Sequence, residues 1–241
     1  MIKKIVLIAL FLVFSVVSFS QIPTGYYTNA EGKTGAGLKT ALYDIIKGHT
    51  SISYSELWTA FKTTDKTSSG TVWDVYSNCT FTFGANQCGN YSGECDCYNR
   101  EHSFPKSWFG GEVAPMYTDL FHLYPTDGYV NNMRGNLPFG EVTTATYTSG
   151  NGSKVGTCSY TGYTGVVFEP VDEYKGDFAR SYFYMVTRYE NVIATWPGCD
   201  MIDGTQFPAF TTWARNMLLK WSTNDPVSQK EIDRNNAVYD I

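Results

Sequence analysis

A glutamate and a histidine stand side by side in the stretch NREHSFPKSW, residues 99–108. Glu101 offers a carboxylate that can bind a divalent cation, and His102 offers an imidazole that can accept a proton near neutral pH. Hydrolysis of a phosphodiester needs both functions, because water must be deprotonated and the charge that builds on the phosphate must be offset. Most Glu-His dipeptides are solvated surface, so this pair needs support from elsewhere in the chain.

A second group of polar residues follows in the stretch PMYTDLFHLYPTDGYVNNMRGNLPFGEV, residues 115–142. Asn131 has an amide oxygen of the kind that Mg²⁺ accepts, and Mg²⁺ needs few protein ligands because it keeps several waters. The same stretch holds further residues that can ligate, donate or brace, namely Asp119, His122, Arg134 and Asn136. Two such groups close together in the chain favour a metal-dependent active site over a surface turn.

The backbone must place the Glu-His pair correctly, since adjacent residues of a strand point to opposite faces. Glu101 and His102 can serve one site only if the backbone bends there. Pro105 and the preceding loop predict an irregular strand end, which would allow such a bend.

The elements that must position these residues predict one domain of mixed helices and strands. Alternating β-branched and aromatic residues predict a strand over 71–83, and the Thr- and Gly-rich residues 143–168 predict hairpins. Residues 84–97 have the composition of a loop, and Asp127 can cap a short helix that follows it. Periodic apolar residues predict five longer helices, two within 36–64 and one each over 177–195, 210–225 and 228–241.

Residues 1–20 predict a secretory signal peptide. Two lysines precede an apolar run, and small residues suit cleavage near Ser20, just before Gln21. The run is shorter than the roughly 20 residues that span a bilayer, which disfavours a transmembrane anchor. We therefore expect a secreted or periplasmic monomer without a membrane span, whose mature part, residues 21–241, is a single domain.

The charge of the chain limits the partners it can bind. The sequence has 18 basic and 23 acidic residues, and loss of the two signal lysines leaves 16 basic residues and a net charge of −7. This balance argues against a broad basic face for polyanions. A nucleic-acid enzyme of this composition needs a local cationic groove or a metal ion.

Six cysteines in an exported chain favour disulfides over free thiols. Their pairing stays open, because six cysteines allow about fifteen connectivities. The spacing of Cys95 and Cys97 is too short for the usual zinc motif, and no histidine lies close by.

The stretches YNREHSFPKSWFG and MYTDLFHLYPTDGYVNNMRGNLPFGEV closely resemble the bacterial endonuclease I family. The resemblance continues in ARSYFYMVTRYE and DPVSQKEIDRNNAVYDI and spans residues 36–241. It implies a secreted or periplasmic nuclease of the α+β class, with helices and short antiparallel strands around a ββα-metal, or His-Me finger, core. It also implies a sequence-nonspecific endonuclease that cleaves DNA, with RNA as a further substrate.

The resemblance implies a role for each matching residue. Glu101 and Asn131 are expected to hold one Mg²⁺, at a site that Ca²⁺ or Mn²⁺ can also occupy, and His102 is expected to activate water. Arg134 is expected to serve catalysis by holding the phosphate or bracing the site. The residues expected to bind substrate or to position their neighbours are Asn136, Asp119, His122, Lys106 and Arg188.

The chain departs from the family pattern in three places. Phe121 stands where relatives often carry a histidine. Residues 109–118 contain no Lys or Arg, although some relatives place an arginine near the cleaved phosphate in this region. The cations expected to replace it are Lys106, Arg134, Arg180 and Arg188. A Gln-Gly-Asn-x-Asn-Pro-Phe stretch that usually follows is absent, so we expect a C-terminal end that is truncated relative to the family.

Two alternatives stay open at this point. The 18 tyrosines and 6 tryptophans would also suit a secreted carbohydrate-binding module in which the Asn and Asp residues hold structural Ca²⁺. The same polar residues would also suit a phosphodiesterase of small substrates. Glycan binding without nucleic-acid cleavage favours the first alternative, and a preference for small diesters over oligonucleotides favours the second.

Overall fold

The computed structural model describes residues 22–241, so the expected signal peptide lies outside the described residues. The α-helices are α1 (Gly35–Ile46), α2 (Leu57–Thr64), α3 (Gly128–Arg134), α4 (Asp172–Arg188), α5 (Thr212–Asn224) and α6 (Gln229–Tyr239). The strands are β1 (Tyr98–His102), β2 (Leu123–Asp127), β3 (Val142–Thr148), β4 (Lys154–Cys158) and β5 (Val166–Glu169). The five longer helices and the capped short helix are thereby confirmed. Within residues 22–241, no helix is both long and apolar enough to cross a membrane.

Strands β1 and β2 and helix α3 form one unit. The two strands pair antiparallel without a register shift, which sets His102 opposite Leu123. Helix α3 begins directly after β2, and the Asp127 carboxylate accepts hydrogen bonds from the backbone N–H groups of Tyr129 and Val130. Because the first N–H groups of a helix have no partner within the helix, this cap fixes where α3 begins. The unit confirms the α+β class and the ββα core.

Strands β3, β4 and β5 form a second antiparallel sheet in sequence order, which confirms the predicted hairpins. Phe168 of β5 is fully buried, and its ring centroid lies 4.8 Å from that of Tyr76. The second sheet therefore packs against the irregular segment that precedes β1.

Helix α4 passes through the main hydrophobic core. Phe178, Tyr182 and Met185 of this helix are almost completely buried, and Met217 and Trp221 of α5 lie in the same cluster. Burial of such large side chains contributes roughly 1.5–3 kcal/mol each. Many of the aromatic residues thus form the core. The hydroxyl of Tyr182 on α4 donates to the carbonyl of Ser103, directly after β1.

The strand predicted over 71–83 is wrong. These residues are irregular, apart from an isolated bridge between Lys66 and Val72. The Asp74 carboxylate accepts a hydrogen bond from the backbone N–H of Tyr76, so a side chain takes the place of a ladder partner. The segment still buries its aromatic residues, which is why its composition imitates that of a strand.

Two disulfides hold the loop over 84–97. They are Cys79–Cys95 and Cys88–Cys97. The expectation that all six cysteines form disulfides is wrong for Cys158 and Cys199, which are free thiols. Cys158 ends β4 and Cys199 lies in the loop before α5, and each packs among hydrophobic side chains as a small apolar residue.

Gly128, the first residue of α3, joins the disulfide loop to the ββα unit. Its backbone N–H donates to the carbonyl of Cys97 at 2.9 Å, and a Cβ atom here would overlap with Sγ of Cys88. Only glycine lets the disulfide pack this closely against the helix. The loop therefore sets the position of α3 and of the residues it carries.

Candidate active site

Glu101 and Arg134 form a buried ion pair between β1 and α3. Nη1 of Arg134 donates to Oε1 of Glu101 at 2.8 Å, and the Arg134 and Glu101 side chains are 0% and 4% exposed. The same guanidinium donates to the carbonyls of His102 and Ser103 and to the hydroxyl of Tyr182. Arg134 therefore braces the end of β1, and its charge is directed inwards.

The Glu101 carboxylate keeps one oxygen available. Both of its side-chain hydrogen bonds, from Arg134 and from the hydroxyl of Tyr76 at 2.9 Å, are accepted by Oε1. Burial raises the pKa of Glu101 above its ordinary value, while the charge of Arg134 and the Tyr76 hydroxyl favour the ionised form. Among the described residues, Oε2 accepts no hydrogen bond from a side chain.

Asn131 lies one helical turn before Arg134 on α3, which puts both side chains on the same side of the helix. Its Nδ2 donates to Oδ1 of Asn99 at 2.7 Å. Asn99 is two residues before Glu101 on β1, so both face α3. Asn131 and Arg134 of α3 therefore contact Asn99 and Glu101 on the same face of β1, and among the described residues the amide oxygen of Asn131 accepts no hydrogen bond.

His102 is held as a neutral imidazole. Its Nε2 lies 2.9 Å from the carbonyl oxygen of Tyr117, and a carbonyl can only accept, so Nε2 carries the proton and Nδ1 the lone pair. Burial lowers the pKa of His102 to about 3, and the neighbouring His122 acts in the same direction. The ring is therefore neutral at neutral pH and can accept a second proton at Nδ1.

The expected backbone bend at the Glu-His pair is wrong. Strand β1 stays in register with β2 through His102, so Glu101 points towards α3 and His102 points to the opposite face. Strand β1 ends at His102, next to Ser103. A ligand that reaches the side chains of both Glu101 and His102 must therefore lie across this end of the strand.

Asp119 lies between two elements and holds them together. Its Oδ2 accepts hydrogen bonds from the hydroxyls of Tyr184 and Tyr189 at 3.0 and 2.6 Å, and its Oδ1 accepts from the backbone N–H of Phe121. These bonds tie helix α4 to the segment before β2.

His122 is a buried neighbour of His102. Its Nε2 lies 2.7 Å from the carbonyl oxygen of Met116, and its ring centroid lies 5.5 Å from that of His102. Burial lowers the pKa of His122, so a second neutral imidazole packs beside the first.

Three further residues from the sequence analysis do not join the contact between β1 and α3. Lys106 is half-exposed, and its Nζ lies 5.2 Å from the ring centroid of Tyr117. Arg188 is buried at the end of α4 and donates to Nδ1 of His49. Asn136 is exposed in the segment that follows α3.

The sequence does not single out three residues that surround His102. The rings of Tyr54 and Tyr117 stack at 4.5 Å, and Tyr117 stacks on His102 at 5.1 Å and 14°. Arg100 lies over Tyr54, with its Cζ 3.6 Å from the ring centroid. The available signal was the position of Arg100 two residues before His102, which puts both on one face of β1. Tyr54 comes from a loop far away in the chain.

A cluster of Cys79, Cys95 and Asp127 is not a metal site, although its ligand atoms lie within 4.8 Å of one another. The two sulfurs are joined in a disulfide, and the Asp127 carboxylate already caps α3 and accepts from the N–H of Cys95.

Two antiparallel strands followed at once by a helix, with a Glu-His pair closing the first strand and an asparagine on the helix, define a ββα nuclease core. The chain belongs to the endonuclease I family, whose model matches residues 34–241. It is therefore a nuclease, a hydrolase that acts on nucleic acids. A carbohydrate-binding module is a different class of protein, and the family assignment decides against it.

The chain is also similar to two extracellular ribonucleases of the genus Bacillus. It is 36% identical to that of Bacillus amyloliquefaciens over 229 residues, which cover 94% of this chain and 74% of the relative. It is 37% identical to that of Bacillus subtilis (strain 168) over 220 residues, which cover 89% of this chain and 71% of the relative.

Proposed function

We propose that the protein is a secreted, Mg²⁺-dependent endonuclease that hydrolyses phosphodiester bonds of RNA and DNA without sequence specificity. His102 is the general base, and Glu101 and Asn131 hold one cation. The observation that carries the proposal is the hydrogen bond of 2.9 Å between Nε2 of His102 and the carbonyl of Tyr117. This bond orients the ring and leaves Nδ1 as an unprotonated base.

Nδ1 of His102 takes a proton from the water that attacks phosphorus. Because burial lowers the pKa of His102 to about 3, the basic form is fully populated at neutral pH. A phosphate anion bound beside the ring would raise this pKa, since a negative charge favours the imidazolium. Substrate binding thus strengthens the base where it is needed.

Glu101 and Asn131 fit a hard divalent cation. One carboxylate oxygen and one amide oxygen are free at the contact between β1 and α3, and Mg²⁺ prefers oxygen ligands. Mn²⁺ and Ca²⁺ accept the same donors. When bound, the cation offsets the charge on the phosphate and on the leaving oxygen.

The other candidate residues position Glu101, His102 and Asn131 or lie where they can contact substrate. Arg134 positions Glu101 and the end of β1, while Asp119 and His122 hold the segment that packs beside His102. Lys106 is half-exposed and Asn136 is exposed, so both can contact substrate. Arg188, buried at the end of α4, supports the fold around the site.

RNA is the first substrate to test, because both relatives are named extracellular ribonucleases. The same names support secretion, together with the signal pattern of residues 1–20. We take the mature part, residues 21–241, as a single domain that acts as a monomer.

The experiment measures cleavage of single-stranded RNA, plasmid DNA and a small phosphodiester, with Mg²⁺ and with EDTA. His102→Asn should lower kcat by about 10²–10⁴-fold, the usual contribution of a general base. Asn131→Ala should weaken Mn²⁺ binding measured by calorimetry, independently of activity. Asn132→Ala is the matched control, because Asn132 is the exposed next residue of α3.

Unchanged cleavage in EDTA would remove the cation from the mechanism. Equal effects of Asn131→Ala and Asn132→Ala on Mn²⁺ binding would remove Asn131 from the cation site. Full activity of His102→Asn would refute the assignment of the base.

A further inference from the structure

Two cations flank the aromatic rings that pack against His102. Arg100 lies over Tyr54 at 3.6 Å, and Nζ of Lys106 lies 5.2 Å from the ring centroid of Tyr117. The rings of Tyr54, Tyr117 and His102 are nearly parallel, with interplanar angles between 14° and 22°. Positive charge is thus concentrated on the face of β1 that carries the base, in a chain that is acidic overall.

Arg100 has unused hydrogen-bond donors. One Nη1 bond of 2.8 Å goes to the carbonyl of Tyr54, and Trp58 packs beneath the guanidinium at 4.3 Å. Nε is buried without a hydrogen-bond partner, whereas Nη2 is not buried and donates no hydrogen bond within residues 22–241. No acidic side chain of the described residues forms an ion pair with Arg100. The guanidinium is thus fixed by one hydrogen bond to the backbone and by two aromatic rings, and it keeps N–H donors that can bind an anion.

The other arginines considered for the phosphate are already engaged. Arg134 is fully buried around Glu101. Arg180 pairs with Asp177 and Glu231. Arg188 donates to His49.

We propose that Arg100 binds the phosphate of the bond being cut or of its neighbour, with Lys106, which lies against the ring of Tyr117, as a second contact. The proposal deepens the proposed function and rests on it, since it assigns the phosphate contact of the same site. Lys106 pairs with an exposed glutamate, Glu112, at 2.9 Å, an interaction too weak to hold it away from a phosphate.

The position of Arg100 explains how it reaches the substrate. Arg100 and His102 are two residues apart on a regular strand, so they share one face of β1. A nucleic-acid strand that crosses the end of β1 at His102 meets Arg100 along the same face. Because Tyr54 and Trp58 fix the guanidinium, little side-chain freedom is lost on binding.

The test measures how binding depends on salt. A short, fluorescently labelled single-stranded oligonucleotide is titrated with the protein in EDTA at several KCl concentrations. Arg100→Gln should lower the slope of log Kd against log[KCl] by about 0.7–0.9, which is the value of one phosphate contact. Arg100→Lys should keep the wild-type slope, because it keeps the charge. Arg215→Gln, on the half-exposed arginine of α5, is the control and should change nothing.

Cleavage with Mg²⁺ supplies the second readout. We expect Arg100→Gln to raise KM for RNA about tenfold, the cost of one lost charge-assisted contact, with a smaller change in kcat. An unchanged salt slope for Arg100→Gln, with or without loss of thermal stability, would overturn the phosphate contact and leave Arg100 a structural residue. If the wild type binds with the expected slopes but cleaves neither RNA nor DNA, the proposed function fails while the contact stands.

Discussion

Replacing Arg134 with methionine tests whether this arginine braces the site or holds a phosphate. Methionine keeps much of the apolar stem but removes the donors to Glu101, to two backbone carbonyls and to Tyr182. Glu101 is then a buried carboxylate whose remaining side-chain hydrogen bond comes from Tyr76. Removing one partner of a buried ion pair costs about 3–5 kcal/mol of folding free energy.

The magnitude follows from which groups lose their partners. The Ser103 carbonyl still accepts from the hydroxyl of Tyr182 at 2.7 Å, so its loss is partly compensated. The His102 carbonyl loses the Arg134 bond, at about 1–3 kcal/mol. The uncompensated charge of Glu101 is the larger part. The double variant Arg134→Met/Glu101→Gln should therefore cost less than the sum of the single changes, by about 1–3 kcal/mol.

Urea denaturation followed by tryptophan fluorescence measures these differences. Arg188→Met is the matched control, because Arg188 is also buried but donates to His49 instead of a carboxylate. We expect the control to lose about 0.5–1.5 kcal/mol, the net value of an ordinary hydrogen bond. A loss below about 1 kcal/mol for Arg134→Met, joined to weaker oligonucleotide binding, would refute the bracing role and favour a phosphate contact.

Three further predictions concern stability. Burial raises the pKa of Asp74 to about 7, above its unfolded value, so the protonated form favours folding and the free energy of unfolding falls by roughly 3 kcal/mol between about pH 5 and about pH 8. Asp74→Asn should flatten this loss when unfolding by urea is measured across that pH range. Equal losses in both proteins would contradict the burial effect. Gly128→Ala should destabilise the protein by about 1–3 kcal/mol, because the new Cβ overlaps with a disulfide sulfur. Gly37→Ala, on α1 with open space around it, should stabilise the protein by about 0.5–1 kcal/mol. Thermal melts of the two variants distinguish these outcomes. Replacing Cys79 and Cys95 together with serine should cost about 3 kcal/mol, since their disulfide spans 16 residues; a melt like that of the wild type would show that this loop needs no covalent closure.

Much of the fold follows from short-range pattern. The helices follow from apolar periodicity, and the cap of α3 follows from Asp127, because these features depend on neighbours within a few residues. The strand predicted over 71–83 failed for the opposite reason. Its residues are buried by contacts with distant elements, and burial alone produces the same composition as a strand.

The site divides in the same way. The sequence by itself determined the residues of the ββα core, Glu101, His102 and Asn131, and their order along the chain. Only the tertiary structure decided that Arg134 turns inwards to Glu101 and that the carbonyl of Tyr117 fixes the proton of His102. It also decided which cysteines pair and that Tyr54 supports Arg100. These contacts join residues far apart in the chain, and packing of several elements, rather than local backbone preference, selects them.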